Sequence, residues 1–114
     1  MAALLRRQEE LRARRQALSR GIVDGLRAAS AEAATRFPSI ARVIVFGSVL
    51  RGRAAETSDV DVLVEGIRAE EYFPLRRFLC EHLEREVDLH TETEPAAFLD
   101  KVRARGECIH ESRG

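Results

Sequence analysis

Three short segments with the texture of buried strands constrain this chain's fold more than anything else in it. Arg42–Phe46, Arg-Val-Ile-Val-Phe, is a continuous β-branched apolar run stopped by Gly47, the pattern of a strand covered on both faces. Asp59–Val64 alternates polar and apolar residues before turning apolar, and Gly66 closes it. Glu86–Thr91 alternates again. Between them lie segments of helical period. Residues 2–35 hold no proline, and Leu4, Leu11, Leu18, Ile22 and Leu26 fall on one helical face, with a bend or break expected near Gly21. Phe73, Leu75, Phe78, Leu79 and Leu83 repeat at helical spacing within Glu70–Arg85, and Pro74 is allowed in a first turn. Pro95 opens a last helix through Arg105, stopped by Gly106, and Glu107–Ser112 can add an edge strand. The order αβαβαβα predicts an α/β fold in which a small mixed β-sheet is covered by helices.

A length of 114 residues suits one domain, 1–114, divided into an N-terminal helical extension (1–35) and a core (40–112). That length leaves no room for a separate substrate domain. No apolar run is long enough to span a membrane, and the first residues, with too short an apolar stretch, are not expected to act as a signal peptide. Cys80 and Cys108 match no zinc spacing and cannot make a disulfide framework, so a reduced, cytoplasmic setting is expected. Formal net charge is +0, which argues against direct DNA binding or a membrane surface. The neutral sum hides an asymmetry: residues 1–55 carry eleven Arg against four acids, and residues 56–114 carry eight basic residues against fifteen acids. The plain explanation is two solvated faces of one fold. The outer faces of the first helix carry Arg6, Arg7, Arg12, Arg14, Arg15 and Arg20, which are expected to sit in water while the leucine face packs on the sheet. Docking of a macromolecular partner by residues 1–20 is the alternative.

The chemistry concentrates in residues 47–90. Residues two apart on a strand share a face, so Asp59 and Asp61 present two carboxylates together while Val60 and Val62 turn inward. By the same alternation Asp88 lies with Glu86 and His90, opposite Val87 and Leu89. Three carboxylates converging on one face repel one another unless a cation neutralises them, and hard ions such as Mg²⁺ suit oxygen ligands shared with phosphates. An isolated Asp-x-Asp is more often a capped turn and a solvated acid. Here it follows Phe46–Gly47–Ser48, a strand end without a Cβ, where the Ser48 hydroxyl and the following amides can bind phosphate oxygens and Arg51 can add a charged contact before the chain turns at Gly52. No Gly-Lys-Ser/Thr is present, so this is not a Walker loop. Among the other residues, His90 is expected to be a strand-end histidine and His82 and His110 structural. Cys80 is read as a core thiol, and Glu65 and Glu86 as solvated. Tyr72, Arg76 and Arg77 can contact a partner, but a solvated helix face explains the two arginines equally well.

The stretch Val43–Glu65, VIVFGSVLRGRAAETSDVDVLVE, with Asp88 on a Val-Asp-Leu strand, resembles the signature of the DNA polymerase β-type nucleotidyltransferase superfamily, and within it the minimal nucleotidyltransferases (MNT). The likeness covers residues 40–112 and rests on Gly47, Ser48, Arg51, Gly52, Ser58, Asp59, Asp61 and Asp88. Val49–Leu50 stands where the family often has Arg-Ala. The resemblance implies the polymerase β-like nucleotidyltransferase fold, with Asp59, Asp61 and Asp88 as catalytic metal ligands and Gly47, Ser48, Arg51 and Ser58 as nucleotide-binding residues. It implies two Mg²⁺ ions, ATP as substrate, and attack of a hydroxyl on the α-phosphorus with loss of pyrophosphate. It also implies a small helical HEPN protein as partner in a toxin–antitoxin pair, the MNT member being the antitoxin that AMPylates a tyrosine of the toxin. Two other functions stay open: an antitoxin that works by occlusion alone, and a free-standing transferase acting on a small molecule.

Overall fold

The computed structural model describes residues 2–112; Met1, Arg113 and Gly114 lie outside them. Four strands form one sheet: β1 (Arg42–Phe46), β2 (Val60–Glu65), β3 (Val87–His90) and β4 (Glu107–Glu111), in the order β3-β2-β1-β4. β1 pairs antiparallel with both β2 and β4, and β2 pairs parallel with β3, so the sheet is mixed as expected. β1 lies between two neighbours, and its Val43, Ile44 and Val45 are all buried, which explains its unbroken apolar run. Val43, Val45, Val60, Val62, Val64 and Val87 face a layer made by α1 (Ala2–Arg36) and α2 (Tyr72–Leu83), where Ile22, Leu26, Leu75 and Leu79 complete the main core. The opposite face is covered only in part. There α3 (Ala96–Arg105) sets Leu99 and Val102 against Ile44 and Leu63. Beside α3 that face carries Asp61 and Asp88, with His90 next to them under Phe98 of α3. No helix among the described residues is long and apolar enough to cross a membrane.

The first helix departs from expectation. It runs unbroken through Gly21, and Gly25 lets α2 come close, since a Cβ there would stand 3.3 Å from Leu83 Cδ2. Its buried positions, Ser19, Ile22, Leu26, Ala29, Ser30 and Ala33, all lie in its second half. Ala2–Ala17 is exposed throughout, with Leu4 at 57% and Leu11 at 48%, so the leucine face packs on the sheet only from Leu18 onward. A helix of 35 residues spans about 52 Å at 1.5 Å per residue, whereas the other principal extents of the molecule are 30 and 23 Å. The first turns overhang the body, and residues 8–16 run exposed beside the turn at residues 51–53.

Two acidic residues expected in water are instead engaged. Glu86 pairs with Arg76 at 2.7 Å, although it stays exposed. Glu65 is only 12% exposed, and Arg42 (2.9 Å) and Arg103 (3.4 Å) both reach it. Burial alone would raise the Glu65 carboxyl, but hydrogen bonds from Arg42 and Arg103 outweigh burial and hold it below the usual range. A carboxylate depressed on folding stabilises above its unfolded pKa, and that stability is lost as the pH falls through the folded value. Glu65→Gln is therefore expected to cost about 2 kcal/mol at neutral pH, a deficit that shrinks below about pH 4. Urea unfolding of both proteins at the two pH values checks this.

Candidate active site

The site is built on a row of residues in register. Phe46 at the end of β1 stands opposite Asp61 of β2, and Asp61 stands opposite Asp88 of β3. Alternation puts all three on the face that α3 leaves open, with His90 next along β3 beside Leu63. Oxygen and nitrogen atoms of Asp61, Asp88 and His90 lie within 4.8 Å of one another. Burial pushes the Asp61 carboxyl above its usual range, and the neighbouring Asp88 adds to the shift, as does Asp59 in smaller measure, while His90 opposes it. Asp61 thus carries a charge that the fold alone does not neutralise.

Gly47 explains how the carboxylate comes so close to the turn. Its φ is +80°, and a Cβ added there would overlap the Asp61 carboxylate. The missing side chain makes room for Asp61 itself. Beyond it the chain turns tightly, with bonds from Arg51 N–H to Gly47 O (3.2 Å), Gly52 N–H to Val49 O (3.3 Å) and Arg53 N–H to Ser48 O (2.9 Å). These bonds use the amides of Arg51, Gly52 and Arg53 and leave those of Ser48, Val49 and Leu50 outside them. Val49 is buried and anchors the turn in the core. The loop that leads back to β2 is held in two places. Buried Ser19 accepts the Ala54 amide at 3.0 Å, tying α1 to the loop. Arg85 donates to the carbonyls of Ala55, Glu56 and Ser58 at 3.0–3.2 Å.

A cavity of about 790 Å³ opens over this row, lined among others by Gly47, Arg51, Asp61, Asp88, Lys101 and Arg105. Carboxylates sit on its sheet wall and cations at Arg51, Lys101 and Arg105, a division of charge that suits a ligand carrying both a metal ion and phosphates. The sequence-derived residues divide accordingly. Gly47, Arg51, Asp61 and Asp88 meet at the cavity. Ser48 is half-buried in the turn. Ser58 accepts the Ala55 amide at 2.8 Å, so its hydroxyl braces the loop. Asp59 lies one residue ahead of β2, exposed and outside the 4.8 Å group, although its charge still acts on Asp61.

His90 is no mere strand-end histidine. Its Nε2 lies 3.1 Å from Asp88 Oδ2 and its Nδ1 lies 3.2 Å from Glu94 Oε1. Phe46 and Phe98 pack on its ring at centroid distances of 5.5 and 5.1 Å. The alternation that places Asp88 on the open face also places His90 there, and that was the available signal. Tyr72 and Arg76 likewise prove structural, bonding Leu89 O (2.8 Å) and Val87 O (3.1 Å).

The nucleotidyltransferase domain model matches residues 26–107, and the chain belongs to that family. Among solved structures, one described as a minimal nucleotidyltransferase is 33% identical, with TM-score 0.57, over 87% of this chain and 92% of that one. A toxin–antitoxin structure with AMP-PNP is 18% identical with TM-score 0.63, over 76% of this chain and 74% of that one. The toxin–antitoxin MntA-HepT is 18% identical with TM-score 0.51, over 82% and 70%. No curated protein matches the chain. The fold is that of a nucleotidyltransferase.

Proposed function

We propose that this chain is an antitoxin nucleotidyltransferase that moves AMP from ATP to a hydroxyl, that of a tyrosine, on a HEPN partner protein. The observation that carries the reading is the in-register pair Asp61 and Asp88, with Gly47 at the adjacent strand end, lining a cavity that Arg51, Lys101 and Arg105 also line. The donor set fits divalent ions: carboxylate oxygens close together, and one of them raised in pKa by burial and by the neighbouring Asp88. Asp61 and Asp88, joined by Asp59 from the loop, would hold Mg²⁺. Bound ions would offset phosphate charge and make the acceptor hydroxyl a better nucleophile. The free amides of Ser48 to Leu50 and the Ser48 hydroxyl bind the β- and γ-phosphates, and Arg51 takes charge that builds on the departing pyrophosphate. Asp88 stands at the outer end of the row, where it receives the proton of the attacking hydroxyl. Ser58 and Arg85 keep the loop between turn and strand in place. Toxin–antitoxin neighbours, one of them with AMP-PNP, support the choice of partner and nucleotide. With the chain mixed with a HEPN partner, label on the α-phosphate of ATP is expected to appear on the partner and label on the γ-phosphate is not. Neutralisation of the partner with neither label transferred would favour occlusion.

The exposed first half of α1 is the surface we assign to the partner. Gln8, Leu11, Arg12 and Arg15 face Arg51 and Arg53 across a cleft of about 640 Å³, so a protein seated there reaches the cavity mouth through Arg51. An exposed helical stretch with no core contacts of its own is marginal in water, which favours a covering partner. Deleting residues 2–17 is expected to leave nucleotide binding intact and the unfolding free energy within about 0.5 kcal/mol, while slowing partner modification at least tenfold. A truncated chain that modifies the partner at the full-length rate contradicts the assignment.

A further inference from the structure

Asp88 sits on a strand of only four residues, and its side chain is 55% exposed. A carboxylate so placed would rotate freely without a partner. It has one in His90, whose side chain is only 19% exposed and meets a carboxylate at each ring nitrogen. Nε2 meets Asp88 at 3.1 Å and Nδ1 meets Glu94 at 3.2 Å. Phe46 and Phe98 pack against the ring, and they also pack against each other at 5.8 Å. Glu94 is itself placed by the turn after β3, where its amide bonds Thr91 O at 3.2 Å. Turning the imidazole would break both nitrogen contacts at once.

We propose that His90 is a positioning residue that fixes the Asp88 carboxylate, with Glu94 as the group that orients it. The inference rests on the reading of Asp88 as a metal-binding carboxylate. Outer groups that orient a ligand commonly matter nearly as much as the ligand. Here Glu94, His90 and Asp88 form a continuous line from a surface turn to the row of the active site, and the aromatic pair keeps water from competing for the ring.

The test uses the full chain, with Mn²⁺ alone as the probe in calorimetric titration. His90→Phe keeps an aromatic ring between Phe46 and Phe98 but removes both nitrogens, and should weaken Mn²⁺ binding by about 10–100-fold. His90→Gln, which restores one amide donor, should recover part of that loss, and Glu94→Gln should weaken binding by a smaller factor. In transfer assays kcat should fall with KM for ATP little changed. Unaltered Mn²⁺ affinity in a folded His90→Phe protein overturns the proposal. Should that variant fail to fold, unaltered affinity in Glu94→Gln overturns it instead. Nitrogen hyperfine coupling to bound Mn²⁺ that vanishes in His90→Gln would make His90 a ligand and also overturn it. If the native chain binds no Mn²⁺ at all, the metal reading itself has failed, which is a different result from native binding that His90 does not affect.

Discussion

Asp61→Asn is expected to lower nucleotidyl transfer by about a thousandfold or more, roughly 4 kcal/mol of barrier, without lowering the thermal midpoint of the ion-free protein. The two halves of this result have one cause. Burial and the adjacent Asp88 make the ionised form of Asp61 unfavourable in the folded chain. A carboxyl raised on folding binds its proton more tightly in the native state, so the native state gains stability as the pH falls from above the raised value towards the unfolded one. At neutral pH the charge is therefore a burden on the fold, and an amide of the same shape removes it. The same charge is what a divalent ion needs. Mg²⁺ should accordingly stabilise the native protein, by about 2.7 kcal/mol at a hundred times its Kd, and leave Asp61→Asn unmoved. Thermal melts with and without Mg²⁺, paired with the transfer assay, read both effects. An Asp61→Asn protein that transfers AMP normally removes the carboxylate from the mechanism.

Gly47→Val should be damaging in a different way, because it attacks the fold and the site together. The backbone at Gly47 has φ +80°, where a side chain is strained, and the added Cβ would occupy the space of the Asp61 carboxylate. Strain and displacement together are expected to cost about 3 kcal/mol of stability. Gly47→Ala meets the same overlap with less bulk, so it too should lose stability and activity. Thermal melts should show a lowered midpoint for both variants, a result that by itself does not separate the fold from the site. What is required is that neither variant regains activity at low temperature, where both are folded. Recovery there would mean the turn serves only to end a strand.

The parts of this fold that were legible in the sequence are those governed by local rules. β1 ends where Gly47 breaks it, and the apolar run Val43–Val45 announces a strand covered on both sides. Asp61 and Asp88 share a face because strands alternate and Val60, Val62 and Val87 all turn to the core, an arrangement already suggested by the apolar pattern of each strand. Strand order was beyond reach, since pairing β2 parallel to β3 and antiparallel to β1 depends on contacts between distant segments. The leucine face of α1 misled for a related reason. Periodicity reports which face can be buried and not how far the body beneath extends. Strands of five or six residues span roughly 20 Å, so a helix of 35 residues outruns them and leaves Leu4 and Leu11 uncovered. His90 was undervalued because what gives it weight, Glu94 and Phe98, arrives only after the chain turns back. Arg85 gave no periodic signal at all, although it binds three carbonyls of the loop that carries Ser58.

The central claim is that the Asp61–Asp88 row is where metal and nucleotide meet. Anomalous diffraction from a crystal soaked with Mn²⁺ and a non-hydrolysable ATP analogue tests it most directly. The account predicts a manganese peak in contact with carboxylate oxygens of Asp61 and Asp88, with the triphosphate against the amides of Ser48 to Leu50. A peak elsewhere, or a nucleotide bound away from the Gly47 turn, would contradict it.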